Sequence, residues 1–210
     1  MPKHHPVTVW TIGHSTRSAD DFIALLQTHG IRQLVDVRTI PRSRHNPQFA
    51  KEELEASLRE AGIHYMHMAA LGGLRHARRD SINTAWRNAS FRGYADYMQT
   101  PEFEEALEEL IRLGKEKPTA IMCAEAVPWR CHRSLVADAL VARGVNSEEI
   151  ASQTSTRPHT LTPWARVQGK KVTYPAEAAV ESKGPTASAP SSSEPKRRAS
   201  KRKHRARSGE

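Results

Sequence analysis

The chain has 210 residues, with 32 Lys and Arg against 23 Asp and Glu, for a formal charge of +9. Residues 181–210 hold nine of those basic residues against three Glu, so +6 of the +9 belongs to the last thirty residues, and net charge is no argument that the folded part binds nucleic acid. No apolar run approaches the ~18 residues of a membrane helix, and the start MPKHHPVTVW lacks the apolar core and cleavage site of a secretory signal.

The apolar share is 38% and the mean hydropathy −0.65. That suffices for one domain with a sizeable core once the polar tail is set aside. Residues 7–12 (VTVWTI) predict a strand that ends at Gly13. Ser18 with Asp21 three residues on is a helix start, and Phe22, Leu25, Leu26 and His29 follow at helical spacing before Gly30. Leu34-Val35-Asp36-Val37 predicts a second strand. Residues 47–61 predict a helix with Leu54, Leu58 and Ala61 on one face, stopped by Gly62, and Ile63 to Met68 a third strand. Residues 69–90 are irregular and rich in Arg. Phe91, Tyr94, Ala95 and Met98 return to helical spacing. Thr100-Pro101-Glu102 opens the next helix, with Phe103, Leu107, Leu110 and Ile111 inward and Gly114 as its expected end. Residues 118–123 (PTAIMC) predict a fourth strand, and 132–143 a helix with Leu135, Val136, Ala139 and Leu140 inward. Residues 145–175 are read as a final strand and a covering segment.

Alternating strands and helices imply right-handed crossovers and a mostly parallel sheet covered by helices. The expected fold is therefore α/β, a three-layer Rossmann-like sandwich over residues 6–175. Residues 176–210, rich in Pro, Ser, Ala, Lys and Arg, are expected to be a disordered tail, with Lys196–Arg207 as a phosphate-binding arm or, alternatively, a solubilising extension.

In parallel sheets, ligands bind beyond the carboxyl ends of the strands. The first predicted strand is followed by Gly13-His14-Ser15. The second is followed by Asp36, Arg38 and then Arg42-Ser43-Arg44, and the third by Gly72-Gly73. The fourth ends at Cys123 and Glu125, ahead of Arg130 and the Cys131-His132-Arg133 corner. Four strand ends thus send reactive or anion-binding groups to one edge. A Cys at a strand end before a helix N-terminus sits where an anion, or its own thiolate, is stabilised. Arg38, Arg44, Arg130 and Arg133 suit bidentate grip on a phosphate or carboxylate. Glu125, His14 and His132 suit proton transfer. Asp36 could instead satisfy a loop N–H, and Arg38 could pair with Asp36 or with Glu125. Cys123 could equally be a core thiol.

Three chemistries compete: anion binding with nucleophilic or acid–base catalysis, a metal site from Cys123, Cys131, His132 and His14, and redox pairing of the two cysteines. A phosphatase-like Cys-loop-Arg cradle fits poorly, because six residues separate Cys123 from Arg130. A structural zinc site prefers shorter ligand gaps than the seven residues between the cysteines. Arg75, Arg78, Arg79, Arg87 and Arg92, interleaved with Trp86, Phe91, Tyr94 and Tyr97, suit nucleotides or single strands, although Phe91 and Tyr94 also read as helix core. With only two cysteines, a reducing cytoplasm is the expected compartment.

The strings TIGHS (11–15), DVRTIPRSRHNPQF (36–49), LGG (71–73), FRGYADYM (91–98), MCAE (122–125), CHR (131–133) and LTPWARVQGKKVTYP resemble domain-of-unknown-function family 488. The resemblance runs from about Val7 to Pro175. It implies a compact α/β domain with signature residues at Gly13, His14, Ser15, Asp36, Arg38, Pro41, Ser43, Leu71-Gly72-Gly73, Cys123, Glu125, Cys131, His132 and Arg133. It supplies no activity and leaves any cofactor unknown. The leading expectation is an enzyme acting on a phosphate-bearing nucleotide or nucleic-acid substrate. Arg38, Arg44 and Arg133 would hold the anion, Glu125 and His14 would move protons, and Cys123 would be a nucleophile or an electrostatic element. The alternatives are a non-catalytic nucleic-acid-associated module, in which the core binds a ligand and the tail binds DNA or RNA, and a metal-dependent enzyme with Cys and His ligands.

Overall fold

The computed structural model describes residues 7–176; the expected tail with its Lys196–Arg207 arm lies outside the described residues. Strand β1 (Thr8–Gly13) leads to helix α1 (Ala19–Thr28), capped by Ser18, whose hydroxyl accepts from the Asp21 N–H. Next come β2 (Gln33–Asp36), α2 (Lys51–Glu60) and β3 (His64–His67). After the long Arg-rich connection come α3 (Ala89–Tyr97), α4 (Pro101–Glu116), β4 (Thr119–Cys123) and α5 (Arg133–Val141). The described residues close with β5 (Asn146–Ser152), β6 (Ser155–Pro158), β7 (Arg166–Gln168) and β8 (Lys171–Thr173).

Six strands form one sheet in the order β3-β2-β4-β1-β5-β6. The first five are mutually parallel, and β6 turns back antiparallel on β5. Strand β4 is buried at all five positions, as a central parallel strand covered on both faces must be. Its side chains alternate between two cores. Ile121 and Cys123 pack with Val9 and Val35 beneath Tyr94, Leu107, Leu110, Leu135 and Leu140 of α3, α4 and α5. Ala120 and Met122 pack with Ile12 and Leu34 beneath Phe22, Leu26, Leu54 and Leu58 of α1 and α2. The predicted three-layer α/β sandwich is therefore present, and each of these large apolar side chains contributes about 1.5–3 kcal/mol by leaving water.

Two readings change. Helix α4 does not stop at Gly114 but runs through it to Glu116. The glycine sits where a Cβ would come within 3.0 Å of Val9, so it admits the strand rather than ending the helix. The segment after β5 holds more than one covering stretch. It adds β6 to the sheet and makes a separate two-stranded hairpin from β7 and β8. These strands are short and largely exposed, so they lack the alternation that marks a strand in sequence.

The covering segment is pinned by a buried carboxylate. Asp138 of α5 accepts from Tyr174 Oη (2.8 Å), His159 Nε2 (2.7 Å) and the Thr162 N–H (3.0 Å). The Arg-rich connection is organised similarly by Asp96 of α3, which accepts from the Arg78 N–H, Ser81 Oγ and Asn83 Nδ2.

Candidate active site

Strand β2 is continued by a connection that packs α2 on one face, whereas its neighbour β4 is continued by one that packs α5 on the other. Adjacent strands whose connections leave to opposite faces open a crevice at their carboxyl ends. A cleft of about 410 Å³ occupies that position. Its walls are Arg38, Thr39, Ile40 and Arg42 after β2, Gly73 and Leu74 after β3, Ser90 and Phe91 of α3, and Cys123 to Glu125 with Arg130 to His132 after β4.

Arg38 is held before any ligand arrives. Its Nε lies 2.9 Å from Asp36 Oδ1 and its Nη2 2.6 Å from Asp36 Oδ2, a bidentate fork on a fully buried carboxylate. The Arg38 N–H also donates to Asp36 Oδ1, and Tyr65 Oη donates to Asp36 Oδ2. Asp36 and the burial of the ring push the Tyr65 phenol well above its ordinary range, burial being the larger cause. The remaining nitrogen, Arg38 Nη1, is buried without a hydrogen-bond partner. Asp36 and Arg38 thus pair with each other, one of the readings open from sequence, and the pairing leaves Nη1 of this cleft-lining residue without a partner.

Cys123 and Cys131 are both free and buried, and Cys131 Sγ lies 2.8 Å from Cys123 Sγ. Arg133 Nη1 donates to Cys123 Sγ at 3.2 Å, and the Arg133 N–H at the start of α5 points at Cys131 Sγ at 3.4 Å. Donation from the Cys131 thiol, helped by the Arg133 charge, holds Cys123 below the ordinary thiol range against the opposing effect of burial. The same shared proton and burial push Cys131 far up. Two sulfurs sharing a site cannot both ionise, so Cys123 is the more readily ionised of the two and Cys131 the one that keeps its proton. His132 completes the row: its Nδ1 lies 3.5 Å from Cys131 Sγ and its Nε2 donates to the Val37 carbonyl at 3.0 Å. Burial lowers its pKa to about 4, so the ring is neutral near pH 7.

Arg133 has no exposed surface, and Cys123, the Glu125 carbonyl and, at 3.9 Å, the Glu149 carboxylate surround it. It stands behind the sulfur rather than at the cleft wall. Glu125 and Arg130 are exposed on the cleft rim, as is Arg42. His14 is buried off the cleft lining, stacked on Phe49 at a 4.2 Å ring separation. Its Nδ1 donates to the Ser15 carbonyl and its Nε2 has no partner; burial lowers its pKa. Ser15 adopts a φ of +51°, rare for a residue with a side chain, and its N–H donates to the Ala124 carbonyl, tying the loop after β1 to the loop after β4. Ser43 Oγ accepts from the Asn46 N–H and shapes its loop, and exposed Arg44 lies outside the cleft lining.

The glycines serve close packing. A Cβ on Gly13 would fall 1.7 Å from the Glu125 carbonyl oxygen, and one on Gly73 would fall 2.4 Å from His132 Nδ1. Gly72 is likewise packed against Thr39, 2.5 Å from where its Cβ would be.

Much of the Arg-rich connection is bonded internally. Arg75 lies 3.6 Å over the Tyr97 ring, Arg78 pairs with Asp80, and Arg92 donates to the Trp86 carbonyl. Trp86 stacks on Phe91 and packs against Tyr174 and Trp164. The groups that sequence reasoning missed are Tyr65 and Glu149, which steady Asp36 and Arg133, and the apolar wall of Ile40 and Leu74. Tyr65 stands one residue into β3, where strand alternation alone could have pointed it inward. Nothing in sequence links Glu149 to Arg133.

Among the described residues, no three His, Cys, Asp or Glu side chains come together to hold a metal ion. The sulfurs are also closer than the ~3.8 Å of two thiolates on one tetrahedral zinc. Among the described residues no helix is long and apolar enough to cross a membrane. No curated protein and no solved structure is significantly similar to this chain. The model of the family described as Domain of unknown function DUF488 matches residues 18–140, a span that runs from the cap of α1 through β4 and the cysteine pair into α5, and on that match the chain belongs to the DUF488 family.

Proposed function

We propose that the protein is an enzyme acting on a phosphate-bearing substrate, a nucleotide or an exposed nucleic-acid end, bound in the cleft between the carboxyl ends of β2 and β4. The observation that carries this reading is Arg38: a cleft-lining guanidinium, oriented by Asp36, whose buried Nη1 has no partner of its own. A preoriented cation of that kind binds an anion without first losing side-chain freedom. Arg42 and Arg130 on the rim extend the positive surface. Ile40, Leu74 and Phe91 give the apolar wall that a base or sugar face would use. Cys123, its ionisation favoured by the Cys131 thiol and the Arg133 guanidinium, is the nucleophile; the neutral ring of His132 and the rim carboxylate of Glu125 are the nearest groups for moving a proton. The free thiols suit the cytoplasm as the place of action.

Titration calorimetry of the full chain with nucleoside monophosphates, diphosphates and a short single-stranded oligonucleotide tests the reading. Arg38→Ala, Arg42→Ala and Arg130→Ala should each weaken binding about tenfold, close to 1.4 kcal/mol, while Cys123→Ser should keep binding and abolish turnover. Anion affinity that ignores all three arginine changes would refute it. The +6 charge of residues 181–210 favours a second reading, a binding module whose affinity resides in the tail. Truncation after Ala176 would then remove most affinity and its salt dependence, whereas the cleft reading keeps small-nucleotide binding intact.

A further inference from the structure

Seven residues separate Cys123 from Cys131 in sequence, yet the 3-10 turn Pro128–Arg130 folds the connection back and brings the sulfurs to 2.8 Å. A disulfide requires them to close by only about 0.8 Å more. Both cysteines are among the residues that line the cleft, and each sulfur faces its own donor: the Arg133 guanidinium at Cys123 and the first backbone N–H of α5 at Cys131. Either sulfur can therefore carry negative charge in turn, which a two-step oxidation requires and a single nucleophile does not.

We propose that Cys123 and Cys131 form a redox centre in which a hydroperoxide entering the cleft oxidises Cys123 and Cys131 closes the product into an intramolecular disulfide. Cys123 thiolate attacks the terminal oxygen of R–O–O–H. A sulfur–oxygen bond forms, the O–O bond breaks, and the leaving alkoxide takes the Cys131 thiol proton to depart as ROH. Cys131, now a thiolate, attacks Cys123 Sγ. The S–S bond forms, the S–O bond breaks, and hydroxide leaves to become water with a proton from solvent. Two electrons pass from the two sulfurs to the peroxide. Hydrogen peroxide fits, and so does a small organic hydroperoxide, whose alkyl group would rest on Ile40, Leu74 and Phe91. Transient disulfides are the form such pairs take in reducing compartments. This activity does not depend on the phosphate reading, although the disulfide would remove the thiolate that reading uses.

The test treats reduced, full-length protein with one equivalent of hydrogen peroxide and follows intact mass, free thiols after unfolding, and a peptide map. The expected result is loss of two hydrogens and of both thiols, a peptide joining Cys123 to Cys131 within one chain, and full recovery with dithiothreitol. In Cys131→Ser the expected product is one added oxygen on Cys123, trapped by dimedone. Two thiols still titratable after peroxide, or a disulfide formed only between chains, would overturn the proposal. If Cys131→Ser does not fold, the peptide map of the unaltered protein decides alone. Nucleotide titration of the reduced protein is a separate measurement, so failure of one reading is distinguishable from failure of the other.

Discussion

Protonation of His132 should set the acid limit of this fold. The ring is held neutral chiefly by burial, assisted by the nearby Arg133 and Arg75 charges and opposed by its bond to the Val37 carbonyl, and its pKa falls from 6.5 to about 4. The sign follows from linkage. Below pH 6.5 the unfolded chain takes up a proton at this position that the folded chain refuses, so stability is full above pH 6.5 and is lost as pH falls toward 4. The whole shift corresponds to about 3 kcal/mol, and the loss between pH 7 and pH 5 alone to about 2 kcal/mol. Urea unfolding at intervals across that range, on the natural protein and on His132→Gln, measures it. Glutamine retains an N–H donor for the Val37 carbonyl but does not titrate, so the difference between the two stability curves should change by about 2 kcal/mol from pH 7 to pH 5. Parallel curves would refute the reasoning, as would a His132 resonance that titrates near 6.5 in the folded protein by NMR.

Three further outcomes follow from single contacts. Gly13→Ala places a Cβ 1.7 Å from the Glu125 carbonyl oxygen, a backbone atom that cannot swing aside; it should cost about 3 kcal/mol in urea unfolding, and an unchanged midpoint would show that the loop gives way freely. Asp36→Ala strands the buried Arg38 charge and should cost about 3–5 kcal/mol, with Arg38→Met in the same chain restoring part of the loss; additive single and double changes would mean that the pair is not coupled. Asp138→Ala removes the acceptor shared by Tyr174, His159 and the Thr162 N–H. Hydrogen exchange at Thr162 should then rise ahead of exchange in β4, and equal protection in both proteins would place the anchor elsewhere.

Periodicity and punctuation in the chain determined the layered plan by themselves. The apolar run of β4, the helical spacing of Phe22, Leu25 and Leu26, and the capping residues Ser18 and Thr100 are local signals, and local hydrogen bonding and burial turn them into the observed elements. The rule that ligands meet parallel sheets at strand carboxyl ends then placed Arg38, Cys123, Glu125, Arg130, Cys131 and His132 around one cleft. Only the tertiary structure decided what each group faces. Sequence spacing could not set the two sulfurs 2.8 Å apart, turn Arg133 inward behind Cys123 while Arg38 lines the cleft, or sink His14 beside Phe49. Those outcomes depend on side-chain rotamers and on contacts between distant segments, such as the Ser15 N–H on the Ala124 carbonyl and the Glu125 carbonyl over Gly13. Such contacts exist only once the sheet has fixed the register between β1 and β4, because that register sets which loop atoms can approach one another.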